Sequence, residues 1–126
     1  MKTNRLDIQV FDPKSFYEKM DNDESMIHHI SGLFIKSCPK YVEEMGNAIQ
    51  SNSSRKLFEI AHNLKGELLI FGHDSAVKLA EELESLGRRG QITGADQILE
   101  RLSFSLKPIF SFIKDLLENS SLNSSK

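Results

Sequence analysis

The chain has 126 residues, 39% hydrophobic and 27% charged, with 16 lysines and arginines against 18 aspartates and glutamates for a formal net charge of −2. That length holds one domain, able to bury about two thirds of its unfolded surface without disulfide or metal staples. Acids and bases mix along the chain, which leaves no basic footprint for nucleic acid, and no apolar run approaches the ~20 residues of a membrane span.

Residues 1–10 are polar apart from Leu6, Ile8 and Val10 and are expected to lie over the domain as an extended arm. Asp12-Pro13 is a helix start, an acceptor at the cap and proline in the first turn. It opens a short helix that ends near Met20, with Phe16 and Tyr17 to pack it down. Asp21-Asn22-Asp23-Glu24 then supplies caps and early acids for a second helix. Its apolar stripe, Ile27, Ile30, Phe34, Cys38, Tyr41, Met45 and Ala48, keeps one phase across Pro39. A proline inside a helix removes a hydrogen bond and crowds the carbonyl four residues back. Two separate helices would have no reason to share a phase, so one long, bent helix is predicted over about residues 23–51.

Ser51-Asn52-Ser53-Ser54 reads as a polar turn and cap, followed by a stripe at Leu57, Ile60, Ala61, Leu64, Leu68 and Phe71. Gly72 suits the left-handed residue that closes a helix. Asp74 or Ser75 is expected to cap the next helix, whose stripe is Ala76, Leu79, Ala80, Leu83 and Leu86, and Gly87 and Gly90 are expected to end it. Thr93-Gly94-Ala95-Asp96 has capping-box spacing with Asp in the acidic place. The last helix, about residues 95–118, carries Ile98, Leu102, Leu106, Ile109, Ile113 and Leu116, with Pro108 inside a stripe that again stays in phase. Asn119 to Lys126, rich in Ser and Asn, is expected to be disordered. No internal repeat, strand-length alternation or glycine-rich phosphate loop appears. The chain therefore reads as all-α, an antiparallel up-and-down four-helix bundle over residues 11–118 with a short amino-terminal capping helix.

The lone cysteine, Cys38, falls on its helix's apolar stripe and is expected to be buried and inert, in keeping with a reducing compartment. With no signal-peptide core at the amino terminus, a cytoplasmic location is expected. The adjacent His28 and His29 point about 100° apart, which rules out the one-turn spacing of a helical metal pair. Both are expected on a solvated face, and His73, after the Gly72 turn, is expected to be a partly exposed loop residue.

His62 is different. It lies about 100° round from Ala61, beside the buried stripe, with its ring at or near solvent. Lys65 is close enough to set an ammonium beside anything anionic on the imidazole, and Gly66, one turn on, costs the helix about 1 kcal/mol relative to alanine and leaves a gap for a visitor. A neutral imidazole is a good nucleophile toward phosphorus, and imidazoles with the ordinary pKa of about 6.5 are mostly neutral near pH 7. Across the Gly72 turn, Glu84 comes to a height similar to that of His62, and Arg88 lies one turn lower, about 6 Å along the axis. His-x-x-Lys-Gly alone is matched equally well by a surface histidine, a solvated lysine and a tolerated glycine.

The longer string, Ala61-His62-Asn63-Leu64-Lys65-Gly66 with Gly72, then Leu79-Ala80 and Leu83-Glu84-Ser85-Leu86-Gly87-Arg88, closely resembles histidine-containing phosphotransfer (HPt) domains of two-component phosphorelays. The resemblance covers roughly residues 11–117. It implies a carrier, not an enzyme, whose His62 takes a phosphoryl group through Nε2 from a receiver-domain phosphoaspartate and yields it to another receiver's aspartate. The receivers would belong to a hybrid sensor kinase or a response regulator, and Mg²⁺ would be bound only by the receiver. By the same resemblance Arg88 occupies a position where a basic residue often lies near the phosphoryl group, although a cation at a helix C-terminus is favoured in any protein.

Phe58, one turn before His62, is a candidate apolar contact for the receiver, or else folds back on the bundle. Where many relatives have small residues after Lys-Gly, this chain has Glu67-Leu68-Leu69, and Glu67, about 140° from His62, is expected to point aside. A monomer is expected. The competing functions are a helical module that binds a receiver or other partner without accepting phosphate, and a domain phosphorylated from ATP by a kinase encoded elsewhere.

Overall fold

The computed structural model describes residues 11–124, and every regular element among them is an α-helix. The extended arm expected at residues 1–10 lies outside the described residues. The first helix, α1 (Pro13–Lys19), starts as its sequence dictates, with the Asp12 carboxylate accepting from Ser15 N–H and Pro13 in the first turn. Asp21 and Asn22 then take left-handed conformations, φ 56° and 55°. Asp23 caps α2 (Glu24–Gln50) by accepting from Met26 N–H at 3.1 Å. Pro39 sits inside α2 without dividing it, on an exposed side where solvent can serve the carbonyl that the proline leaves free.

Ser53 caps α3 (Ser54–Phe71) and Gly72, at φ 73°, closes it. The helices α4 (Asp74–Arg88), α5 (Ala95–Ser105) and α6 (Lys107–Ser124) complete the chain. Each of α2 to α5 packs on the next, α5 returns to α2, and α6 lies against α2 and α5. The chain doubles back at its turns: Glu67 meets Ser37 and Tyr41, Glu84 meets His62, and Ser105 meets His73. The stripes read from the sequence converge on one core in which Phe34, Met45, Leu57, Leu64, Leu83, Leu102 and Ile109 are buried. Phe16 of α1 stacks on Phe71 with centroids 4.7 Å apart, and α1 thereby covers the core beside the Gly72 turn.

Several local expectations are corrected. The single kinked helix over 95–118 is two helices, interrupted at Leu106, with Pro108 in the first turn of α6 where a missing N–H costs nothing. The apolar stripe keeps phase through the break because Leu106 itself stays close to helical geometry, φ −82° and ψ −15°. Of the tail expected to be disordered, residues 119–124 continue α6 to Ser124, since extending a helix already nucleated and packed costs little per residue, and residues 125 and 126 lie outside the described residues. Neither Asp74 nor Ser75 caps α4. His73 holds that position, and its ring is buried, with Nε2 donating to the Ser105 carbonyl at 3.0 Å beside the α5–α6 break. Thr93 forms no capping box, and Gly94, at φ 86°, precedes α5 instead.

The helix α4 ends at Arg88, between Gly87 and Gly90 as expected, with Gly90 at φ 71°. Gly87, its penultimate residue, has a further part that the sequence did not show, for it lies where α4 presses on α3. A Cβ there would stand 2.6 Å from Phe58 N, 2.7 Å from Ser54 O and 2.8 Å from Phe58 Cα, all backbone atoms that cannot swing aside. Cys38 is buried as expected, its thiol pushed up to about 12 by burial and then by nearby Glu67.

Two outcomes are expected. Gly87→Ala raises intrinsic helix propensity, yet the clash forces α3 and α4 apart and lowers urea stability by about 1–3 kcal/mol; unchanged stability would mean the helices separate freely. Burial lowers the His73 pKa, more than the Ser105 carbonyl and Asp74 raise it. The folded state then binds its proton less readily than the unfolded chain. That contribution is complete above the ordinary histidine value of about 6.5 and lost as pH falls through the lower folded value. His73→Gln, which keeps a donor for Ser105 but does not titrate, should flatten the decline in melting temperature across that window.

Candidate functional site

The site stands on the facing sides of α3 and α4, which the missing Cβ of Gly87 lets approach closely. His62 projects from α3 with its side chain 59% exposed. Glu84 projects from α4 and is only 5% exposed, its Oε2 2.7 Å from His62 Nδ1. A carboxylate only accepts, so in the neutral ring the hydrogen sits on Nδ1, and Nε2 keeps its lone pair. The same carboxylate takes the Lys65 ammonium on Oε1 at 2.7 Å, and Arg88 Nη2 comes within 3.7 Å of Oε2.

Burial raises the Glu84 pKa, but hydrogen bonds from Lys65 and His62 and their charges more than offset it and hold the carboxyl below its ordinary value. Glu84 is therefore ionised at neutral pH. Phe58 lies flat beside the imidazole, centroids 6.0 Å apart and planes 20° apart, and the Arg88 guanidinium sits 5.6 Å from the Phe58 ring centre. The imidazole and the guanidinium therefore share two neighbours, the Phe58 ring and Oε2 of Glu84.

His62, Lys65, Gly66 and Arg88 were the residues singled out by sequence, and three of them gather around Glu84. Their arrangement differs from the expected one in a particular way. Lys65 and Arg88 are engaged with Glu84 instead of standing free for an incoming anion. Gly66 is exposed, and a Cβ built on it would meet nothing within 4 Å, so the notch beside His62 is open space. Glu67 does point aside, its carboxylate accepting from Ser37 Oγ at 3.1 Å and Tyr41 OH at 2.9 Å. Phe58 is half-buried against His62, between the docking contact and the folded-back side chain that were the two alternatives.

Counting along the sequence puts Glu84 at the height of His62 but gives it no role. A signal was there. Ala80, Leu83, Glu84 and Gly87 follow the i, i+3, i+4, i+7 pattern of a buried face, and a carboxylate on such a face needs partners.

The remaining histidines stand apart. His28 Nδ1 lies 2.9 Å from the Glu24 carbonyl, His29 is exposed, and His73 is committed to Ser105. Among the described residues no group of three or more His, Cys, Asp or Glu side chains is arranged to hold a metal ion. None of the described helices is long and apolar enough to cross a membrane.

Comparison with family models matches the Hpt domain over residues 29–121, a span that contains His62, Lys65, Gly66, Glu84 and Arg88. Comparison with curated proteins and with solved structures finds no match. The family match extends over well more than half of this helical chain, and the chain belongs to the Hpt domain family, carriers of phosphoryl groups that meet receiver domains in two-component signalling.

Proposed function

We propose that this chain is a histidine phosphotransfer protein in which Nε2 of His62 accepts a phosphoryl group from one receiver domain's phosphoaspartate and passes it to another receiver's aspartate. The observation that supports this reading best is the division of the His62 ring, with Nδ1 held by Glu84 and Nε2 left toward solvent beside the open ground over Gly66. A nucleophile needs that free lone pair, and a docking domain needs that room. Lys65 and Arg88 bring two positive charges against the single negative charge of Glu84, so the surroundings of the ring carry a surplus that suits an arriving phosphoryl group.

The receiver brings Mg²⁺ and most of the electrostatic stabilisation of the transition state. This chain supplies the acceptor and its orientation, and does not turn over by itself. In this reading α2 to α5 form an antiparallel up-and-down four-helix bundle capped by α1, the protein is a cytoplasmic monomer, and Phe58 offers the receiver an apolar edge next to the reacting ring.

Two outcomes test the reading. Mixing the pure protein with a phosphorylated, labelled receiver should transfer label that, after denaturation, is acid-labile and alkali-stable. His62→Gln should take none, and label retained by that variant would overturn the assignment. Gly66→Leu should keep the helical circular dichroism and slow transfer by about ten- to a hundredfold, since the notch is filled while the acceptor is intact. Wild-type rates in that variant would show that nothing docks there.

A further inference from the structure

Glu67 is a carboxylate next in the chain to the notch at Gly66, on the side of His62 from which an anion would arrive. It follows His62 by five residues, about 7.5 Å along α3, which is inside the screening length of about 8 Å at physiological salt. The surface over Gly66 is open, so a Glu67 side chain free to move has room to turn toward it. A second negative charge there would cancel the surplus that Lys65 and Arg88 hold over Glu84.

The chain does not leave that carboxylate free. Its Oε1 accepts from Ser37 Oγ at 3.1 Å and its Oε2 from Tyr41 OH at 2.9 Å, so both oxygens are drawn to α2, whereas His62 and Lys65 face Glu84 of α4. Ser37 and Tyr41 stand one turn apart on α2, and each takes a separate oxygen, which fixes where the charge lies. Burial first, then the hydrogen bond from and the charge of Glu67, raise the Tyr41 pKa above its ordinary 10.0, so the hydroxyl stays a donor across the neutral range. Cohesion between α2 and α3 does not call for this clasp. Phe34, Cys38 and Met45 of α2 and Leu57, Leu64 and Leu68 of α3 are already buried in one core, and apolar groups in place of both hydrogen-bond partners would hold the seam nearly as well.

We infer that Ser37 and Tyr41 are positioning residues that hold the Glu67 carboxylate off the phosphoryl site, so that an arriving anion meets the positive surplus of Lys65 and Arg88 undiminished. The inference rests on the carrier reading. It assigns the clasp to the control of charge beside His62, not to the stability of the bundle.

The test measures the rate at which phosphoramidate, a small anionic phosphoryl donor that needs no receiver, labels His62. Wild type is compared with Ser37→Ala/Tyr41→Phe and with Ser37→Ala/Tyr41→Phe/Glu67→Gln, at low salt and at 1 M salt, with circular dichroism and urea unfolding to check each fold. At low salt the double variant should label about three- to tenfold more slowly than wild type, and adding Glu67→Gln should return the rate close to wild type. At 1 M salt, where screening acts within about 3 Å, the deficit of the double variant should largely vanish.

A deficit that persists in the triple variant, or that salt does not change, means the clasp serves only to hold two helices together and overturns the inference. So does a wild-type rate in the double variant at low salt. If the double variant fails to fold, Tyr41→Phe with and without Glu67→Gln replaces it, and equal low-salt rates in that pair overturn the inference. Each of these results leaves the carrier reading intact, whereas failure of both phosphoramidate and a phosphorylated receiver to label His62 in the wild type defeats that reading and the inference with it.

Discussion

A carboxylate buried between two helices is the interaction on which the site depends. An ionised carboxyl taken from water without partners would cost several kcal/mol, and Glu84 is held at 5% exposure by a lysine on one oxygen and an imidazole on the other. Those partners come from α3 and the carboxylate from α4, so the contact exists only while the two helices stay in register. Gly87, one turn beyond Glu84, sets how near they come, because its missing side chain lets the Phe58 backbone take the space a Cβ would need. Helix packing and the orientation of the reactive ring are therefore one constraint seen at two positions.

The consequence is an imidazole with unequal nitrogens. One is tied inward to a group that only accepts, and the other is left to solvent above a glycine that leaves room. The cations beside it are already engaged: Lys65 neutralises Glu84, and Arg88 spreads between Glu84 and the face of Phe58. On the carrier reading proposed above, charge brought by a phosphoryl group would meet cations that Glu84 already holds beside the ring.

Away from this face, the chain spends its aromatic residues on cohesion. Phe11, Phe16, Phe71 and Phe112 cluster beside the Gly72 turn, where α1 lies over the core. Phe71 follows His62 by nine residues, about 13 Å along α3. The His62 ring thus stands on the middle of a helix whose far end is anchored by Phe71.

Periodicity and the His62 motif were enough to give the helices, the buried stripes, the passage of α2 through Pro39 and the exposure of His62, because each follows from residues within a few turns of one another. The His-centred string also pointed to the family. What lay beyond it were the contacts between segments distant in the chain: Gly87 against the Phe58 backbone, His73 turned into the core to serve Ser105, and α6 starting anew at Lys107. The most consequential of these is Glu84. A carboxylate on an apolar stripe shows only that a partner must exist; which groups it holds, and which nitrogen of His62 it leaves free, depends on the approach of two helices, and a one-dimensional pattern does not contain that distance.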